Sequence, residues 1–504
     1  MAPKQIITLG FLALFCLAAS NTGTDDEIKW LSRNEATSDL EFFRYKLESL
    51  SSYQGLNGYD WLSPLGDYEL ELPDSVTREE VGIFMAKLLA NIGDRHAGIK
   101  RYRLPNKQFL PFIVAPYDGK VLALKFEESN STYSLLFPNY PYLKIIDHMN
   151  VEDMMDKVCF SGKLAPKDAR LTRGVKELKY IERNYSILNK SMPSELEFIF
   201  SNGTSDTIVH FKAEGVRSRY ITWDEKFSRQ NLRTKDLLDV EKIQHQFALL
   251  TGNIAYIRIP QMYDPEEGQL YYEALRNNMQ KFKSTDAMII DIRSNGGGTR
   301  HLIWELAGYL VKANSIHVVN LARQRSRSRL KADQIDDLHH RFLYAYTELE
   351  TPEQTAVDSF MKSFKPQYNL PDEKYTPYYY AIFNGQKLKK SHHYSYDKPV
   401  YILTNERTFS AASVMAACFK GIPNIRLAGV TTDGSSGNSE RFELSRSGMT
   451  CKISTMVSFQ KDGRILDGNG TQPDIKLERN LKQVFWLEDS QLQSLVNLIS
   501  ASDH

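Results

Sequence analysis

The chain has 504 residues, too many for one hydrophobic core, and at roughly 100 to 200 residues per domain it predicts about three domains. Its 42% hydrophobic and 25% charged residues are those of a globular protein. The 63 basic and 62 acidic side chains nearly cancel, which removes the case for a nucleic-acid partner; the one basic run, Ala322 to Lys331, reads as a solvated, mobile face.

Residues 1–20 read as a cleaved secretory signal: Lys4, an apolar run from Ile6 to Ala19, and small residues Ala18, Ala19 and Ser20 at the cleavage end. That run is too short for a comfortable membrane span, and no later segment is long and apolar enough, so an exported protein without an integral span is expected, periplasmic or extracellular. Cys159, Cys418 and Cys451 remain, too few for a disulfide framework, with one bridge left open. No CxxC or HExxH pairing is present, so no metal or cofactor is expected. Sequons stand at Asn130, Asn184, Asn189, Asn202 and Asn469.

Residues 25–108 form a mostly helical region. Glu35 to Ser52 is amphipathic, and Thr77 to Ile92 opens with the capping-box pattern Thr77-Arg78-Glu79-Glu80. Gly93 suits the C-terminal cap, which leaves His96 in a loop. A loop histidine is usually structural, yet its neutral imidazole makes His96 the strongest general-base candidate. Residues 109–217 alternate as short strands with one or two helices and a hairpin around Asn202-Gly203. Such a module can add a peptide to a sheet edge or serve only as a spacer. Residues 218–249 read as a linker.

Residues 250–480 read as an α/β unit. Asn253 to Ile259 and Ala287 to Ile292 are strands, Glu266 to Phe282 and His301 to Ala313 helices, and the near-continuous apolar strands imply a sheet buried on both faces. Gly296, Gly297 and Gly298 sit at a strand-to-helix junction and leave amides open to an anion. Residues 318–397 break the pattern and read as an insertion over the site. Val400 to Leu403 is a strand, and Ser410 falls where a helix of small apolar residues begins. There Ser410 is either an N-cap or a nucleophile beside unpaired helical amides. Strands follow at Ile425 to Val430 and Thr450 to Phe459, and residues 481–504 end the chain with a helix.

Four stretches occur in order: NIAYIRIP from Asn253, IIDIRSNGGG from Ile289, TFSAA from Thr408 and GNGTQPDI from Gly468. Together they resemble the tail-specific, or C-terminal processing, serine peptidases over residues 250–480. Gly93 to Gly98 and Leu143 to Val158 are similar to that family's upstream histidine segment and PDZ-like module. The resemblance implies a crotonase-like (ClpP-like) α/β core with Ser410 as nucleophile and the amides of Ala411 and of Gly297 or Gly298 as oxyanion hole. Members with a Ser-Lys dyad carry a lysine after a Gly-x-x-Thr-x-Gly turn; here Gly429 to Gly434 is followed by Ser435. The resemblance therefore points to the tricorn-like branch, with His96 as base and Asp467, Ser435 and Asp94 as candidates to orient it. It implies protein or peptide substrates. The alternative is an inactive member that binds peptides or apolar ligands.

Overall fold

The computed structural model describes residues 28–103, 106–215, 223–227, 232, 236–326, 330–435 and 437–502. The expected signal segment 1–20 and part of the expected linker lie outside them. Among the described residues no helix is long and apolar enough to cross a membrane.

A mixed α/β fold with several sheets emerges. Its centre is a six-stranded sheet in the order Phe247–Leu250, Ile254–Arg258, Ala287–Asp291, Val400–Thr404, Ile425–Gly429 and Ile475–Lys476. The first pair is antiparallel and the rest are parallel. Ala287–Asp291 and Val400–Thr404 are buried at every position, as continuous apolar strands require when both faces are covered. Met288, Ile290, Val400 and Ile402 pack toward the helices Gln269–Lys281, His301–Leu310 and Ala411–Phe419. The alternate residues Ile289 and Leu403 pack with Leu495, Val496 and Ile499 of the helix Ser490–Ser502.

Several expectations are corrected here. The presumed linker ends in the edge strand Phe247–Leu250. Residues 109–217 hold a seven-stranded sheet but three helices, Val151–Val158, Lys167–Leu178 and Ile181–Ile187, because the connection before Leu196–Ser201 is long enough to fold back over the sheet. The Asn202-Gly203 turn does close a hairpin, with Ser201 opposite Asp206. The stretch 318–397 is not a separate insertion over the site. It begins inside the buried strand Ile316–Gln324, which pairs with Tyr379–Asn384 on one side and Met456–Phe459 on the other. Nor is Ala322 to Lys331 wholly solvated: Arg323 and Arg325 are about nine-tenths buried, and the Arg323 guanidinium donates to the carbonyls of Leu370 and Thr376. Thr450 to Phe459 is two strands in two sheets, Thr450–Ser454 and Met456–Phe459, with the chain turning at Thr455. Cys159, Cys418 and Cys451 are buried free thiols. Asn184 is fully buried and donates to the carbonyls of Glu177 and Leu178, so its sequon is closed to a glycan in the folded chain.

At the carboxyl end of the central strand Ala287–Asp291, Asp291 and Arg293 form an ion pair whose side chains are both fully buried, at 2.7 Å. Asp489, beside the last helix, takes the other edge of the guanidinium at 2.6 Å. Burial opposes the charge on Asp291, but Arg293 and Arg258 outweigh it and hold the carboxyl at about 2. Removing one partner strands the other's charge in the interior. Asp291→Ala is therefore expected to cost about 3–5 kcal/mol, read as a lower denaturant midpoint at unchanged slope.

Candidate active site

His96 reaches the core through a short piece of chain held at both ends. The helix Arg78–Ile92 starts with the reciprocal Thr77 and Glu80 capping box and stops at Gly93, whose φ of 88° is the left-handed cap conformation. Asp94 comes next, buried, and its carboxylate accepts from the amides of His96 (2.9 Å) and Ala97 (3.0 Å) and from the amide (2.7 Å) and hydroxyl (2.6 Å) of Ser454. Gly98–Lys100 then adds as a strand to Thr450–Ser454, itself paired with Ser439–Glu443. This carries the histidine across 314 residues of sequence to Ser410, with Nε2 and Oγ 3.3 Å apart.

Ser410 does not cap its helix. Its side chain makes no capping hydrogen bond to Ala411–Phe419, and its backbone lies at φ 54°, ψ −128°, a conformation costly for any residue with a β-carbon. Two latches hold the loop there: Phe409 N–H donates to the Asn295 carbonyl (2.9 Å), and the Asn405 side chain joins both the amide (2.8 Å) and hydroxyl (3.0 Å) of Ser294. The glycine turn is thereby pressed against the serine. A β-carbon on Gly297 would lie 2.5 Å from that of Ser410, and one on Gly298 would collide with the Met262 carbonyl.

The three proposed oxyanion donors separate. Gly297 N–H is committed to the Asn295 side chain at 2.8 Å. The amides of Gly298 and Ala411 donate to no acceptor among the described residues. Of the three, these two remain open to an acceptor.

On the far edge of the imidazole, Nδ1 is hydrogen-bonded to the Ser435 hydroxyl. If Nε2 is to accept a proton, Nδ1 must carry one and donate it to Ser435 Oγ. Asp467 acts one step further out: it accepts from the Tyr53 hydroxyl (2.8 Å) and from the Arg95 amide (3.2 Å), steadying the residue before the histidine. Ser435 and Asp467 are set by backbone contact between two glycine turns. A β-carbon on Gly434 would run into the Gly470 backbone, and Thr432 and Thr471 exchange hydrogen bonds.

The sequence did not single out Arg95, Asp433 or Arg173. Asp433, buried inside the Gly-x-x-Thr-x-Gly turn, pairs with Arg95 at 2.7 Å and with Arg173 from the helix Lys167–Leu178 at 2.6 Å. The Arg173 guanidinium also covers the Phe409 ring, which lies 4.9 Å from the imidazole. A buried ion pair between residues distant in sequence leaves no local pattern; only the adjacency of Arg95 to His96 and of Asp433 to the glycine turn could have drawn notice. Burial, then Lys452, Arg95, Arg173 and Arg341, drives the His96 pKa well below its ordinary value.

Residues 253–477 match the sequence model of peptidase family S41. That segment belongs to peptidase family S41. The S41 segment holds Ser410, Ser435, Asp467 and the glycine turn, whereas His96 lies outside it. A protein of Chlamydia trachomatis serovar D is 24% identical over 253 residues, which cover 44% of this chain; the chain spans 41% of the length of that curated relative. Two solved structures share the fold: mature CPAF (16% identity, TM-score 0.58, 94% of this chain and 98% of that one) and mature CPAF complexed with lactacystin (16%, 0.57, 93% and 98%).

Because the folded pKa of His96 is depressed, the neutral imidazole persists as pH falls below about 6.5. Any reaction that needs His96 as base should keep its rate there and lose it only on a more acidic limb, read in a pH profile of kcat/KM. Ser435→Ala removes the Nδ1 acceptor, so a loss of about 10-fold to 100-fold in kcat is expected, with about 1–3 kcal/mol of stability lost to the unpaired buried N–H.

Proposed function

We propose that the chain is a serine-type peptidase with Ser410 as nucleophile and His96 as general base. Ser410 Oγ attacks the scissile carbonyl while Nε2 of His96 takes its proton. The carbonyl oxygen becomes an oxyanion between the Gly298 and Ala411 amides, each such donor being worth about 3–4 kcal/mol in the transition state. Collapse expels the amine, which receives the proton back from His96. Water, deprotonated by the same nitrogen, then hydrolyses the acyl-enzyme. Through the cycle Ser435 Oγ accepts from Nδ1–H and keeps the ring in register.

One observation carries this reading: a serine in strained backbone, free of capping duty, with Oγ 3.3 Å from a histidine held neutral. The tricorn-like Ser-His assignment follows from Ser435 at the position where a dyad lysine would stand. A crotonase-like core is supported by the parallel sheet with helices on both faces, and a PDZ-like role for residues 109–217 by their mainly antiparallel sheet. Endopeptidase action on protein or peptide substrates, and export through residues 1–20 to a periplasmic or extracellular site, belong to the same proposal and rest on the sequence.

A fluorophosphonate probe tests it. Wild-type protein should label at Ser410, Ser410→Ala should not label, and His96→Ala should label about 100-fold to 10,000-fold more slowly. A wild-type protein that binds peptide yet never labels would overturn the proposal in favour of a non-catalytic peptide-binding role.

A further inference from the structure

Away from Ser410, two histidines and a glutamate converge. Glu305 lies in the helix His301–Leu310, and its carboxylate is 3% exposed. His392 and His393 lie in the loop between the short helix Gly385–Leu388 and the strand Val400–Thr404. Nε2 of His392 is 2.9 Å, and Nε2 of His393 3.6 Å, from the same oxygen, Glu305 Oε1; the three ligand atoms all lie within 4.8 Å of one another. These are the edge lengths of a small coordination polyhedron: ligands about 2.0–2.2 Å from a zinc ion sit roughly 3.3 Å apart at tetrahedral angles.

A metal-free reading makes Glu305 an ion-pair hub. Arg276 forks onto both of its oxygens at 2.8 and 3.2 Å, and Lys390 stands 3.7 Å away. That leaves His393 within ion-pair range of Glu305 but beyond hydrogen-bond reach, with Nε2 3.6 Å from Oε1. The His393 side chain has no solvent exposure, and its Nε2 has no hydrogen-bond partner. A buried ring nitrogen without a partner carries a desolvation cost that a hydrogen bond or a metal bond would remove. The slot for the ring is built into the helix, since a β-carbon on Gly308 would collide with the imidazole. The other ring nitrogen, Nδ1, lies 3.1 Å from both the Lys390 amide and the Leu388 carbonyl; with its proton donated to Leu388, the Nε2 lone pair is left directed at Glu305. The Tyr309 hydroxyl, one turn along from Glu305, is likewise buried without a partner.

We propose that Glu305, His392 and His393 bind a divalent transition-metal ion, zinc by preference, through Oε1 and the two Nε2 atoms. Two imidazoles and one carboxylate are a zinc ligand set, with a fourth position left for water. Arg276 then serves as the hydrogen-bonding partner that orients the ligating carboxylate. Lys390, 61% exposed, can turn to solvent as the ion enters. The site braces two arms of the fold. The helix carrying Glu305 continues from the Gly296–Gly298 turn, and the histidine loop feeds the strand that leads to Ser410. The latches of Asn295 on Phe409 and Asn405 on Ser294 join these arms at one end, and the metal would join them at the other.

The test is metal binding, independent of peptidase activity. Full-length protein stripped with a chelator and titrated with zinc should take up one equivalent per chain and gain thermal stability. His393→Gln and Glu305→Gln should each weaken that binding on the order of 100-fold. Cobalt substituted for zinc should give the visible spectrum of a four-coordinate nitrogen and oxygen site, absent in both variants. Should either variant misfold, cobalt spectra of His392→Gln, a change at a partly exposed side chain, decide the matter. Wild-type protein that takes up no zinc at ten micromolar free ion, or variants that retain the full equivalent, would overturn the proposal.

Discussion

The placement of His96 against Ser410 depends on the Asp94 carboxylate. Placed in the interior, it is favoured only because four donors surround it: two from its own turn and two from Ser454, 360 residues further on. Burial still pushes its pKa up against those hydrogen bonds. One group therefore does two jobs. It shapes the loop that presents His96 and fastens that loop to the sheet Ser439–Glu443, Thr450–Ser454, Gly98–Lys100. Without the second pair of donors, nothing local would hold a helix-capping turn against a serine from another part of the chain.

The electrostatics around the histidine disfavour its charged form. The group at Nδ1 is a neutral hydroxyl, while Arg95, Arg173 and Lys452 stand near and disfavour the imidazolium. A weakly basic histidine is mostly ready to accept a proton at neutral pH, at the cost of a smaller driving force for taking it. Asp433 balances this by neutralising Arg95 and Arg173 together, and in doing so ties the helix Lys167–Leu178 of the seven-stranded-sheet region to the turn that carries Ser435. Any rigid shift of that region would be felt at the ring.

Glycine provides the close approaches. Gly297 faces the Ser410 β-carbon and the Ala411 amide, and Gly434 faces the Gly470 backbone, with no room for a methyl group in either place. In each pair the two partners come from separate motifs, so the motifs are adjacent because side chains were omitted, as well as because others were included.

Much of this was legible in the sequence. The capping box at Thr77 and Glu80, the Gly93 stop, the doubly buried strands and the strand-to-helix position of Ser410 all follow from propensities and periodicity that act within a few residues. Local chemistry of that range could nominate Ser410, His96 and the Gly296–Gly298 turn; the family resemblance added Ser435, Asp467 and the pairing of Ala411 with Gly297 or Gly298. Neither could say that the Ser410 side chain avoids its cap, that Gly297 gives its amide to Asn295, or that Ser435 takes Nδ1 while Asp467 grips Arg95. Those outcomes are choices among hydrogen-bond partners far apart in the chain, and each is settled by which backbone segments pack together. The split of Thr450 to Phe459 between two sheets, and the return of residues 318–397 into the core, have the same origin: pairing partners for a strand are tertiary neighbours. The sequence by itself determined the parts and their local shapes; only the tertiary structure decided which nitrogen faces which oxygen, because a hydrogen bond depends on distances that no spacing along the chain specifies.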